Sequence, residues 1–303
     1  MTNDLATDPL TIVVAMTDPA PPAFAEHLAR FAEEAGELGE VYVVDSSGTL
    51  SVEWLARRYA NVRVLHRPIG RLAPQLWRDG LIRSEAPLVA FTTAQMRLSE
   101  GWRVAMVDRL IETNASGVGG PIEPGSTLTT TDRAVALLRY SSYFPPMPSS
   151  IPPEPPGDNA LYRRDRLCAV ESSWKQGFWE VEVHQALRKR GETLAMADRA
   201  VATYEGGTRL FVMSRQRARH AKHYGASRSR GSSTAARMVR VAASPLVPPL
   251  LCGRIVRNLR GRGLRLVPWI TSLPRLLLLA SAWAVGEAIG TWSASSILPD
   301  ANA

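Results

Sequence analysis

Four short β-branched apolar runs, each followed by a stretch with helical apolar spacing, succeed one another in the first third of the chain. The runs are Thr11–Met16 (TIVVAM), Val41–Val44 (VYVV), Val62–Leu65 and Leu88–Phe91 (LVAF). A strand that is apolar at nearly every position must be covered on both faces, which is the condition of a parallel sheet. The covering segments are Phe24–Ala35, with apolar residues at Phe24, Leu28 and Phe31, then Val52–Tyr59, Pro74–Arg83 and Trp102–Glu112. Strand and helix in alternation predict an α/β fold with a doubly wound, parallel sheet.

Ligands of such sheets lie outside the carboxyl ends of the strands. That directs attention to Thr17-Asp18, Asp45–Gly48 and Thr92–Gln95. Polar residues after a strand also serve simply as turn formers, so each loop has a second reading.

Further on, Gly117–Pro124 (GVGGPIEP) reads as a strand whose glycines mark a turn or close approach. Pro145–Pro156 holds seven prolines in twelve residues and is neither helix nor central strand, so it reads as a linker or cover loop. Gly177-Phe178-Trp179-Glu180 leads into an amphipathic helix with Gly191 as its C-cap, and Leu194–Tyr204 reads as a closing strand.

The net charge of +8 is unevenly spread. From Arg209 onward there are fifteen Lys and Arg against two acids, a balance of +13, whereas the first 208 residues carry −5. A negative body argues against nucleic acid as a ligand, because phosphate binding needs cations there too. The basic run Arg209–Arg240 also lacks aromatic interleaving for base stacking beyond Phe211 and Tyr224. Two cysteines, Cys168 and Cys252, build no disulfide framework or thiolate zinc site. Met1–Leu10 carries aspartates and no positive n-region, so it does not read as a secretory signal, and the body is expected to fold in the cytoplasm.

The expected division is residues 1–208 and a basic, apolar helical region at 209–303. In the latter, Leu276–Gly286 is shorter than the roughly 20 apolar residues that cross a bilayer. Arginines beside apolar residues, with Trp269, Trp283 and Trp292, are the composition of an interfacial segment on anionic lipid. The expectation is peripheral or monotopic attachment at the cytoplasmic side of the cell membrane. A helical hairpin buried on the body is the alternative.

In order and spacing these segments resemble the family 2 glycosyltransferases, whose nucleotide-sugar domain has the GT-A fold. The resemblance runs from about Thr11 to Arg230, two-thirds of the chain. It is carried by the first strand ending in Thr17, Asp45-Ser46-Ser47-Gly48, Val89-Ala90-Phe91, Gly101-Trp102 and Gly119-Gly120-Pro121. It continues through Gly157-Asp158-Asn159-Ala160-Leu161-Tyr162-Arg163-Arg164 and Gly177-Phe178-Trp179-Glu180.

The resemblance implies a mixed, mostly parallel sheet flanked by helices, a UDP or GDP sugar donor and inverting transfer, and the basic, apolar C-terminus points to a membrane-associated acceptor, a lipid or lipid-linked one. Asp45 matches the aspartate that accepts a hydrogen bond from the nucleobase, Thr17 lies at the nucleoside position, and Ser47 and Arg71 join them as nucleotide-binding candidates. Glu180 matches the catalytic base, with Glu182 and Gly191 reproducing the spacing that follows it. Trp102, Asn159, Tyr162, Arg163 and Trp179 match the acceptor and sugar region. A helix-terminal acid complementing the dipole is the other reading of Glu180.

One departure stands out. The family's Asp-x-Asp-type motif, which holds Mg²⁺ or Mn²⁺ on the diphosphate, is degenerate here: it reads Thr92-Thr93-Ala94-Gln95, and Tyr204 stands where a later histidine would complete the metal site. Neutral Thr93 and Gln95 do not supply the charge that hard cations require. Arg71, Arg78, Arg215, Arg217, Arg219 and His220 offer fixed cations in the metal's place. Two readings follow: a metal-independent transferase, or a degenerate GT-A protein serving as a membrane-bound scaffold or nucleotide-sugar sensor.

Overall fold

The buried β-branched runs form the centre of a seven-stranded sheet. The computed structural model describes residues 5–49, 51–147 and 154–294, so residues 148–153 of the proline-rich stretch lie outside the described residues. Contacts divide the chain into two compact units. One comprises the residues up to Thr127 with Tyr143–Gly207, and the other Leu128–Ser142 with the residues from Thr208 onward.

In the first unit, β1 (Leu10–Met16), β2 (Glu40–Asp45), β3 (Val62–His66) and β4 (Leu88–Thr93) run parallel. They are interleaved with α1 (Phe24–Ala35), α2 (Ser51–Ala56) and α3 (Ala73–Arg83). Beyond β4 and β5 (Met96–Leu98) come α4 (Trp102–Thr113), β6 (Gly117–Gly119) and β7 (Ile122–Pro124). After α5 (Thr130–Tyr140), which belongs to the other unit, follow β8 (Asn159–Arg163), α6 (Arg164–Cys168), α7 (Glu171–Trp174), α8 (Glu180–Lys189), β9 (Leu194–Met196) and β10 (Ala202–Tyr204).

The large sheet has the order β3-β2-β1-β4-β8-β6-β9, and only β8 opposes the others. It is therefore mixed and mostly parallel. On one face Phe91 meets Phe178 at 4.3 Å between ring centroids, Tyr162 at 5.7 Å and Trp77 at 6.0 Å. Burying each such ring contributes roughly 1.5–3 kcal/mol before its ordering cost.

Three expectations are corrected. Gly117–Pro124 is two strands in different sheets, because Pro121 breaks the ladder and only its carbonyl is used, by Ala202 N–H at 3.0 Å. Leu194–Tyr204 likewise divides: β9 edges the large sheet, while β10 lies between β5 and β7 in a three-stranded sheet. The linear division at 208/209 misses α5, which clusters with the second unit. Its sequence signal is a capping box, Thr129-x-x-Asp132, in which Thr129 Oγ1 accepts from Asp132 N–H at 3.2 Å.

In the second unit, α5 accompanies α9 (Leu210–Arg228), α10 (Thr234–Ala242), α11 (Val247–Gly261) and α12 (Leu273–Ser293). The backbones of α9 and α12 approach so closely that a Cβ on Gly286 would lie 2.1 Å from the Ala218 carbonyl oxygen. One on Gly290 would lie 2.0 Å from that of Lys222. Only glycine fits these crossings. Trp283 packs under the Arg217 guanidinium, 4.2 Å from its ring centroid, and donates to Glu287 at 3.0 Å, whose other oxygen accepts from Arg228. The opposite side of α12 exposes Leu277, Leu278, Val285, Ile289 and Trp292. By length and composition the helical run Val267–Ser293 suffices to cross a membrane, a property it shares with core helices of soluble proteins.

Candidate active site

Strands β1, β2 and β4 end side by side: Met16 pairs with Asp45, and Ala15 with Thr93. Because β8 is antiparallel to β4, its first residue Asn159 lies opposite Thr92, so Gly157 and Asp158 reach this same carboxyl edge. Hydrogen bonds tie the edge together. Ser46 N–H donates to the Met16 carbonyl at 2.9 Å, Ser46 Oγ to the Arg71 carbonyl at 3.4 Å, and Arg67 N–H to the Asp45 carbonyl at 2.7 Å.

Asp45 is 2% exposed. One carboxylate oxygen accepts from Ser47 N–H at 2.7 Å and the other lies 3.4 Å from His66 Nδ1, whose ring also meets Glu53 at 2.9 Å. Its first task is thus to close its own turn, and each carboxylate oxygen keeps a further lone pair. Thr17 donates to Asp18 at 3.3 Å, and the Ser47 and Thr49 hydroxyls pair at 2.6 Å. Arg71 is exposed just before α3. Arg78, by contrast, is engaged by Asp79 at 2.8 Å and by the Lys175 carbonyl.

Glu180 opens α8, where an acid is favoured by the helix dipole. The preceding loop is fixed to the start of α3 by Phe178 N–H donating to the Pro74 carbonyl at 2.7 Å. Gly157 passes between two large groups: a Cβ there would be 2.8 Å from Trp77 and 3.4 Å from the Glu180 carboxyl carbon. Trp77 in turn donates to the Thr92 carbonyl at 2.8 Å. Asp45 and Glu180 therefore both stand at the carboxyl edge of one sheet.

The degenerate motif ends in buried neutral groups. The hydroxyls of Thr92 and Thr93 have no hydrogen-bond partner among the described residues, and Gln95 is 8% exposed. Among the described residues no group of three or more His, Cys, Asp or Glu is arranged to hold a metal ion. A donor set of neutral hydroxyls and an amide does not fit Mg²⁺ or Mn²⁺, which require carboxylate oxygens.

All five acceptor candidates are corrected. Asn159 is fully buried; it accepts from Trp102 Nε1 at 2.7 Å and donates to the Pro121 and Ala200 carbonyls at 2.9 Å each. Asn159 and Trp102 are thus internal fasteners. Tyr162 is buried against Phe91, with its hydroxyl 2.7 Å from His184 Nε2. Arg163 pairs with Leu88 at the amino end of β4 and donates to the Ala115 carbonyl, so it stands at the opposite edge of the sheet. Trp179 is 7% exposed and folds back over Gly177, leaving little ring face for a sugar. No sequence signal distinguishes these core roles from ligand roles, since polar fasteners and polar ligands share residue types. Trp77 and His184 beside the site, and the close approach of Gly157 to Trp77, leave no signal in the sequence because each acts through a neighbour distant along the chain.

No family model matches the chain, and no curated protein matches it by sequence. Solved structures do. The mannosyltransferase PcManGT from Pyrobaculum calidifontis, in complex with GDP-Man and Mn²⁺, is 15% identical with a TM-score of 0.56, over 92% of this chain and 87% of its own. S. aureus TarS residues 1–349, alone and in complex with UDP-GlcNAc, is 13% and 12% identical with a TM-score of 0.46. These matches cover 69% of this chain, which spans 64–65% of the TarS chains. At these identities the likeness is one of fold: a glycosyltransferase-type α/β fold with a mostly parallel sheet and a C-terminal apolar helix.

Proposed function

We propose that this chain transfers a sugar from a nucleotide-diphosphate donor to a membrane-associated acceptor, with inversion and without a resident metal ion. The observation that carries the reading is the placement of Asp45 and Glu180 at the carboxyl edge of one sheet. In this reading Asp45 accepts a hydrogen bond from the base of UDP or GDP, beside Thr17 and Ser47. Glu180 takes the proton from the acceptor hydroxyl as that oxygen attacks the anomeric carbon and the bond to the diphosphate breaks. Arg71 offsets the charge on the departing diphosphate. The solved PcManGT and TarS complexes hold GDP-Man and UDP-GlcNAc, which makes these two the first donors to try.

The second unit supplies the membrane side of the proposal. α9 carries Arg215, Arg217, Arg219, Lys222 and Arg228, and it packs along the C-terminal half of α12. So charged a partner is not stable in hydrocarbon, which favours monotopic over spanning attachment. Lipid would meet the exposed Leu277, Leu278, Val285 and Ile289, with nearby arginines drawing anionic headgroups at the cytoplasmic face.

The test is release of UDP or GDP from the two donors with and without EDTA, in the native chain and in Glu180→Gln. Turnover that persists in EDTA and is lost in Glu180→Gln is the expected result; complete loss on chelation refutes metal independence. One observation favours a second reading, a scaffold or nucleotide-sugar sensor: neutral Thr93 and Gln95 where the diphosphate site would need charge. Donor binding without turnover in any condition selects that reading.

A further inference from the structure

Beside Glu180 lies a carboxylate–imidazole–phenol array, partly exposed at Glu154 and buried at His184 and Tyr162, to which the transfer chemistry assigns no part. Glu154 Oε1 is 2.5 Å from His184 Nδ1, and His184 Nε2 is 2.7 Å from the Tyr162 hydroxyl. The second Glu154 oxygen accepts from Arg188 at 2.6 Å. A carboxylate only accepts, so His184 donates from Nδ1 to Glu154, and its Nε2 shares the second hydrogen bond with the Tyr162 hydroxyl. His184 and Tyr162 are both fully buried.

The array spans two places that matter to Glu180. His184 is one helical turn after Glu180 on α8, and Glu154 begins the short stretch Glu154-Pro155-Pro156-Gly157. That stretch is pinned at one end to His184 and Arg188. At its other end Gly157 lies so close to Trp77 that a methyl group would collide, and that methyl would reach van der Waals contact with Glu180, 3.4 Å from its carboxyl carbon. Two prolines between the ends limit its backbone freedom. Charge couples the same groups: burial first, then the nearby Glu180 and Glu154 carboxylates, push the Tyr162 phenol well above its ordinary value, keeping it protonated.

We propose that Glu154, His184 and Tyr162 are positioning residues, and that the strap from Glu154 to Gly157, anchored on α8, fixes the Glu180 carboxylate for proton abstraction. The proposal rests on the reading of Glu180 as the base. It assigns the array no contact with donor or acceptor. Its effect falls on the orientation and ionisation of Glu180, where a displacement of about 1 Å is worth up to ~100-fold in rate.

The experiment compares Glu154→Ala, Glu154→Gln and Arg188→Ala, measuring kcat, donor KM and the pH–rate profile with UDP-GlcNAc and GDP-mannose. Glu154→Ala should lower kcat by about tenfold with donor KM unchanged, and move the acid limb of the profile by about half a pH unit. Glu154→Gln, which keeps an acceptor for His184 Nδ1–H, should recover most of the loss. Arg188→Ala, at a half-exposed side chain that leaves folding intact, should show the same pattern at about threefold. An unchanged kcat, a loss with an unmoved acid limb, or no recovery in Glu154→Gln overturns the proposal. If Glu180→Gln is inactive while Glu154→Ala matches the native chain, the strap fails and the base survives; if Glu180→Gln stays fully active, the base itself fails.

Discussion

The indole N–H of Trp102 donates to Asn159 Oδ1 at 2.7 Å, and the same amide's two protons are taken by the Pro121 and Ala200 carbonyls at 2.9 Å each. One side chain thereby joins the start of β8 to α4, to the turn between β6 and β7, and to the segment before β10. Both residues match positions that the family resemblance placed near substrate, and both are buried.

Asn159→Ala takes the partner from the Trp102 indole donor and the Ala200 carbonyl in the interior, while the Pro121 carbonyl keeps Ala202 N–H. The expected cost is about 3–5 kcal/mol. Denaturant unfolding measures it, and below the transition UDP or GDP affinity should match that of the native chain. A variant as stable as the parent would show that water replaces the amide.

Removing the carboxylate of Glu180 should lower turnover by about 10²–10⁴-fold in Glu180→Gln, with nucleotide affinity retained. Isothermal calorimetry and a coupled nucleotide-release assay separate the two effects.

Asp45→Asn keeps the shape of the turn but replaces one carboxylate oxygen by an amide nitrogen. UDP or GDP binding should weaken by about tenfold or more, since a charge-assisted hydrogen bond to the base is lost. Equal affinity would place the base elsewhere.

Acid should weaken the fold through His27. Its ring is buried and donates from Nδ1 to the Ala94 carbonyl at 3.0 Å, and burial, outweighing that bond and the Glu205 and Glu26 charges, holds its pKa below 6.5, with Arg97 acting in the same sense. Below pH 6.5 the unfolded chain takes up a proton that the folded chain refuses. Stability is therefore full above 6.5 and falls as pH drops, by about 1.4 kcal/mol per unit until the folded pKa is reached. His220, lowered further by burial and by Arg217, Arg139 and His223, adds to the same trend. Tm against pH should flatten in His27→Gln; an unchanged slope would assign the acid sensitivity to other groups.

Gly290→Leu should separate α9 from α12, because the Lys222 carbonyl occupies the space a side chain needs. The expected result is a loss of helical circular dichroism at lower temperature. Flotation with vesicles of anionic and of zwitterionic lipid tests the membrane reading on the native chain. Salt-sensitive binding to the anionic set alone is expected, and absence from both sets sinks it.

The sequence by itself determined the α/β class, the succession of four parallel strands along the chain and the carboxyl edge where Asp45 falls. It did so because burial on both faces demands apolar β-branched runs, and that demand is local and periodic. It also marked Glu180 as a helix-opening acid. It did not separate Asn159, Tyr162 and Trp102 from ligand-binding residues, because a hydrogen-bonding side chain looks the same whether its partner is a carbonyl or a sugar. Which partner it meets depends on chain segments far apart in sequence: Asn159 on Ala200, Tyr162 on His184, Gly157 on Trp77. The strand breaks at Pro121 and between β9 and β10 were equally hidden, since a second sheet forms only when three distant segments pair. Only tertiary packing decides which polar groups are spent holding the fold and which remain at the edge for chemistry.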